Sequence, residues 1–149
     1  EDVPALYWNA AALGLLIAAS KDQPQWLARL PEVEGLLDRA LALDPAWNDG
    51  ALHEFAITLA ATRPGGADLG AMAEHYERAA SLAGGTRASV YVTYAEAVAV
   101  RAQDRERYLE ALERALAVDL DADPDGRLLN VVAQQRARWL IDHVDEFIL

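Results

Sequence analysis

An acid, an arginine and an alanine followed by an apolar stretch recur three times along the chain. The copies are Asp38-Arg39-Ala40-Leu41-Ala42-Leu43, Glu77-Arg78-Ala79-Ala80-Ser81-Leu82 and Glu113-Arg114-Ala115-Leu116-Ala117-Val118. The shared alanine stands at 40, 79 and 115, at intervals of 39 and 36 residues. Each apolar stretch halts at a helix breaker or an aspartate: Asp44-Pro45, Gly84-Gly85 and Asp119.

Start and stop signals around these stretches predict seven helices. The first runs over 4–20, with Pro4 in its first turn and Lys21-Asp22 opening the exit. Residues 23–30 read as a loop with one helical turn. Pro31 suits the first helical position of the next helix, which ends before Asp44-Pro45. The third begins near Asn48 or Asp49, either of which can cap it, and stops before Arg63-Pro64-Gly65-Gly66. Asp68 caps the fourth, and Gly84-Gly85 ends it where positive φ carries no steric cost. The fifth covers 87–102, the sixth 104–118 and the seventh runs from 125 or 126 to 147.

A self-similar unit of this length marks stacked helical hairpins; tetratricopeptide repeats run at about 34 residues. The expected fold is all-α: a single domain forming a right-handed solenoid of three degenerate tetratricopeptide-like hairpins over 4–45, 46–85 and 86–120. A lone helix over 125–148 caps its last apolar face. Ala40, Ala79 and Ala115 are the small residues at helix crossings, and Leu37, Tyr76 and Leu112 the larger wedges three residues earlier. Pro45 takes the usual terminal proline position, while Gly84 and Leu120 stand there in the other units.

Composition narrows the function classes. The chain has 149 residues, 53% apolar, enough for a substantial core. Its 13 basic and 24 acidic side chains give a net charge of −11. Such a surface repels phosphate backbones, and the basic residues are scattered rather than gathered, so neither nucleic acid nor an anionic membrane surface is an expected partner. With no cysteine there is no disulfide, thiol catalysis or cysteine zinc site within these residues. The apolar run at 10–19 is too short to span a bilayer and lacks the basic flank of a signal peptide.

Several stretches in order along the chain resemble the T-component of tripartite ATP-independent periplasmic (TRAP) transporters. They are Ala5-Leu6-Tyr7-Trp8-Asn9-Ala10-Ala11-Ala12, Leu30-Pro31, Leu43-Asp44-Pro45, Asp49-Gly50-Ala51-Leu52-His53-Glu54, Gly84-Gly85, Tyr91-Val92-Thr93-Tyr94-Ala95-Glu96 and the run from Asn130 to Leu140. The resemblance implies a periplasmic lipoprotein anchored through a cysteine upstream of these residues. It also implies cryptic tetratricopeptide repeats, a homotrimer, a partner in the periplasmic solute-binding subunit, and a cavity for an apolar ligand.

Other chemistry is incomplete. Asp121-Ala122-Asp123-Pro124-Asp125-Gly126 matches the first half of a calcium loop, but Leu129 and Val132 stand at positions nine and twelve. The plainer reading is an acidic turn in which Asp123 or Asp125 caps the last helix. His53-Glu54 is half of a zinc-protease helix with Ile57 where the second histidine belongs. No catalytic constellation, metal site or cofactor is expected. Glu54 and Glu96 stand among apolar residues, so each is either paired to an arginine such as Arg138 or aimed at a cavity. The aromatics Tyr7, Trp8, Trp47, Tyr91, Tyr94 and Trp139 are either packing or ligand walls. The candidate ligand- or partner-facing residues are Tyr7, Trp8, His53, Glu54, Tyr91, Tyr94, Glu96, Asn130, Gln134 and Arg138. Arg138 is the candidate to hold a carboxylate, with Glu54 or Glu96 pairing it when the site is empty. The function expected is a non-enzymatic accessory component of a TRAP-type transporter. The alternative is a plain tetratricopeptide adaptor that docks a peptide tail.

Overall fold

In the computed structural model, which describes residues 2–20, 22–63 and 67–149, the described chain is helical and has no strand. The order is α1 (Val3–Ala19), a single turn α2 (Pro24–Leu27), α3 (Leu30–Leu43), α4 (Trp47–Ala61), α5 (Leu69–Ala83) and α6 (Ala88–Tyr94). A π-helical stretch (Ala95–Ala99) joins α6 to α7 (Val100–Ala102), followed by α8 (Arg105–Leu116), α9 (Arg127–Asp142) and α10 (Val144–Phe147). Neighbours in sequence pack as pairs: α1 with α3, α4 with α5, and α6 with α8, while α9 lies on both α6 and α8.

The helices divide by how much of their circumference is covered. α3, α5 and α8 each bury one stripe: Val33, Leu37 and Ala40; Met72, Tyr76 and Ala79; Tyr108, Leu112 and Ala115. Such a stripe at helical spacing is what an outer amphipathic helix presents to a core. α4 and α6 are covered on nearly every side, and α4 contributes to two apolar clusters. Leu52, Ala56 and Leu59 join the cluster with α1 and α3, while Ile57 joins the larger one built from α5 to α9. The three signature alanines are fully buried at the crossings.

Several terminal signals act as expected. Asp68 Oδ1 accepts from the Gly70 and Ala71 amides at the start of α5, and Asp104 accepts from Arg107 N at the start of α8. Gly84 and Gly85 end α5 at φ 57° and 83°. Others differ. Neither Asn48 nor Asp49 caps α4. With Gly50 they form a left-handed turn at φ 48°, 52° and 89° inside that helix. A Cβ on Gly50 would lie 2.9 Å from Ala79 Cα, so this turn lets α4 and α5 touch backbone to backbone. Neither Asp123 nor Asp125 caps α9, whose N-cap is Gly126 with no side-chain bond. The last helix is also interrupted at His143, where φ −117° and ψ 21° separate α9 from α10. The expected turn at Pro64-Gly65-Gly66, and Lys21 at the first exit, lie outside the described residues. Among the described residues no helix is long and apolar enough to cross a membrane.

Candidate ligand cavity and the polar clusters around it

An apolar cavity of about 610 Å³ lies between α1, α2, the start of α3 and α4. Ala11, Gly14 and Ala18 form its α1 wall, Leu27 and Leu30 its end, and Phe55 and Leu59 the side opposite. It opens because the run at 10–19 alternates leucine with residues too small to fill the gap. No charged side chain lines it. Its two hydroxyls bond their own helix: Thr58 Oγ1 donates to the Glu54 carbonyl at 3.3 Å and Thr62 Oγ1 to the Leu59 carbonyl at 2.7 Å. The wall therefore offers hydrocarbon contact and little else. None of the ten residues singled out in the sequence lines it. The signal that could have found it is α1 itself, apolar on every face while burying only Val3, Ala10 and Ile17.

Phe55 and Thr58 are shared with a smaller polar cleft of about 170 Å³, lined also by Tyr7, Ala51, Glu54 and Arg87. Here two of the expected residues meet. Glu54 accepts from Ser89 Oγ and Thr93 Oγ1, each at 3.1 Å, and lies 3.7 Å from Arg87 Nη2. Arg87 Nη1 also donates to the Asn48 carbonyl of the left-handed turn at 2.6 Å. Tyr7 packs on Trp47 and Phe55 with ring centroids 4.8 and 5.9 Å away. Burial, reinforced by Glu54 and partly offset by Arg87, raises the Tyr7 phenol above its ordinary value. The arginine at this carboxylate is thus Arg87, which the sequence reading passed over, and not Arg138.

The other candidates disperse. Trp8 stands 66% exposed on the outer side of α1. His53 faces away from the cleft, toward His75 of α5. Tyr91 and Tyr94 are buried against Tyr76, with centroids at 6.4 and 4.1 Å, and the Arg114 guanidinium lies 4.7 Å over Tyr91. Burial pushes Tyr76 up to about 12. Glu96, on the π stretch, accepts from Arg136 Nε at 3.1 Å, and Arg136 stacks over Trp139 at 4.5 Å. Arg138 is exposed and pairs with neither Glu54 nor Glu96.

Asn130 and Gln134 bind backbone, not an open site. Asn130 Oδ1 accepts from the Ala88 amide at 2.9 Å and its Nδ2 donates to the Thr86 carbonyl at 2.7 Å, which closes the N-terminus of α6. Gln134 Nε2 donates to the Ala115, Leu116 and Val118 carbonyls at the end of α8. Both are buried, where an amide must satisfy itself on its neighbours. In the acidic turn, Asp121 pairs with Arg127, and the Asp121 amide donates to Asp119.

A protein of Treponema pallidum (strain Nichols), described only as an uncharacterized protein, is 31% identical to this chain over 153 aligned residues. The alignment takes in 99% of the chain and 46% of that protein, so the chain spans about half the length of this relative. The family model for the TRAP transporter T-component (TAtT) matches residues 1–148. With a match that runs from the first helix through the last, the chain belongs to the T-component family of TRAP transporters.

Proposed function

We propose that the chain is a non-enzymatic accessory unit of a TRAP-type transporter that binds the periplasmic solute-binding subunit and receives the apolar part of a carboxylate ligand. Family membership supports the transporter role. The observation that carries the ligand reading is the junction of the apolar cavity with the Arg87 cleft across Phe55 and Thr58. A hydrocarbon tail fits the first, and a carboxylate fits the planar fork of Arg87, which lines the cleft 3.7 Å from Glu54. In this reading the architecture is a right-handed tetratricopeptide-like solenoid of three hairpins with α9 as cap. It stands in the periplasm on a lipid anchor upstream, and it assembles as a homotrimer through apolar faces on its first and last helices.

The ligand reading is tested with a fluorescent long-chain fatty acid. Saturable binding is expected, with affinity at least tenfold lower in Arg87→Leu. Binding that is absent, or indifferent to both Arg87 and the cavity wall, sinks it. Affinity capture from a periplasmic extract tests the partner: the solute-binding subunit should co-purify with the chain. Capture of proteins through C-terminal peptide tails instead would favour the adaptor reading.

A further inference from the structure

α4 and α5 meet through two imidazoles that lie 22 residues apart in sequence. His53 is buried and His75 half-buried; their Nδ1 atoms stand 2.9 Å apart, with ring planes inclined at 42°. Two ring nitrogens at that distance need one N–H and one lone pair, so the facing atoms hold a single proton between them. With both rings neutral, one Nδ1 donates its hydrogen and the other accepts it on a bare lone pair.

The surroundings do not favour a second proton. From α5, Arg78 adds positive charge near both rings and Glu74 a negative one near His75. From α3, Asp38 faces His75 across a small cleft that also holds Glu34, Arg63 and Asp68. Glu34 is taken by Arg63 at 2.8 Å, and Asp68 by the first amides of α5. Among the described residues no carboxylate lies within ion-pairing distance of either ring.

We propose that the His53–His75 pair is an acid-sensitive clasp between α4 and α5. With one proton it ties the helices together. With two, both facing nitrogens become donors, the bond is lost, and two cations confront each other beside Arg78. α4 also carries Phe55, Thr58 and Leu59 of the cavity wall, so release of the clasp frees the element that shapes the cavity.

Burial holds both imidazoles below their ordinary value near 6.5, with the partner ring and Arg78 adding to the effect at His53. The unfolded chain therefore binds more protons than the folded one in mild acid. The stabilisation is complete above 6.5 and is lost as pH falls through the folded values.

Urea unfolding at pH 7.5 and 5.5 tests the clasp, in a window that leaves most carboxylates ionised. The unfolding constant of the unsubstituted protein should rise at least about tenfold on acidification, the equivalent of one pKa unit. His143→Gln, which removes the only other histidine, should behave in the same way. His75→Gln should rise by a clearly smaller factor than the unsubstituted protein, since only His53, still held low by burial, remains of the two coupled sites. Full pH dependence in His75→Gln overturns the proposal. Nitrogen NMR of the native protein provides an independent reading. One bare and one protonated Nδ1 across the pair at pH 7.5, both persisting below pH 6.5, support the clasp, whereas two rings titrating independently near 6.5 overturn it.

Discussion

Gly50 sits where the backbones of α4 and α5 touch. Its φ of 89° and the 2.9 Å between a notional Cβ and Ala79 Cα leave alanine no relaxed conformation there. Gly50→Ala should cost about 2–4 kcal/mol in urea unfolding, combining a left-handed backbone with overpacking against main chain that cannot yield. Asn130 is as demanding for a different reason. Asn130→Leu keeps the branched shape but leaves the Ala88 amide and the Thr86 carbonyl unpaired, so a loss of about 2–4 kcal/mol is expected from the same measurement. At this scale the sequence was least informative. Asn130 and Gln134 were candidates to face a ligand or partner, but what a buried amide binds depends on the opposite backbone, 42 to 44 and 16 to 19 residues away. Glu54 was recognised as a carboxylate in need of a partner, while the choice of Arg87 over Arg138 followed from how α6 crosses α4. His53 and His75 lack any local spacing that would join them.

Among the elements, helix ends with a chemical stop were legible: Asp68, Asp104 and Gly84-Gly85 each act through one or two bonds that the local sequence contains. The left-handed turn at Asn48-Asp49-Gly50, the π stretch and the break at His143 were not, because no capping side chain marks any of them. The small-residue crossings were legible because alanine at 40, 79 and 115 repeats. The cavity was not, because it is a deficit of volume shared by α1 and α4. Gly14 marks it: a Cβ there would meet Phe55 at an ordinary 3.5 Å, while larger side chains would enter the cavity. Gly14→Leu should leave stability unchanged or raise it by up to about 1 kcal/mol through helix propensity. The same change should reduce fatty-acid binding at least tenfold by fluorescence titration. Parallel losses of stability and binding would point to misfolding rather than occlusion.

For the whole molecule, the two ends of the helix array expose apolar side chains that the interior does not need. On α1 these are Trp8 and Leu15, the latter 72% exposed; on α9 they are Leu128, Leu129 and Val132, exposed by 74%, 67% and 55%. A net charge of −11 opposes self-association at low ionic strength, so salt should strengthen assembly by screening that repulsion. Sedimentation velocity at micromolar concentration is expected to show a species larger than the monomer, more populated at 0.5 M than at 0.05 M sodium chloride. Leu15→Glu and Val132→Glu should each shift the protein toward monomer without changing its urea midpoint. Monomer under every condition would remove the apolar ends as an assembly surface.

The bonds that α9 makes also order events in time. Asn130 closes the start of α6 and Gln134 the end of α8, so both amides leave the ribosome after the helices whose ends they close. The pair α6–α8 therefore emerges with open backbone ends that only later chain can satisfy. The apolar cluster of α1, α3 and α4 is complete by Leu59, while Arg87 and Arg101 reach the Asn48 and Ala61 carbonyls of α4 later. Synthesis then proceeds from a half whose core can settle as it appears to a half that must wait. A ribosome stalled once residues up to 120 have emerged would hold a protected α4–α5 pair beside an α6–α8 pair open to hydrogen exchange, until α9 arrives.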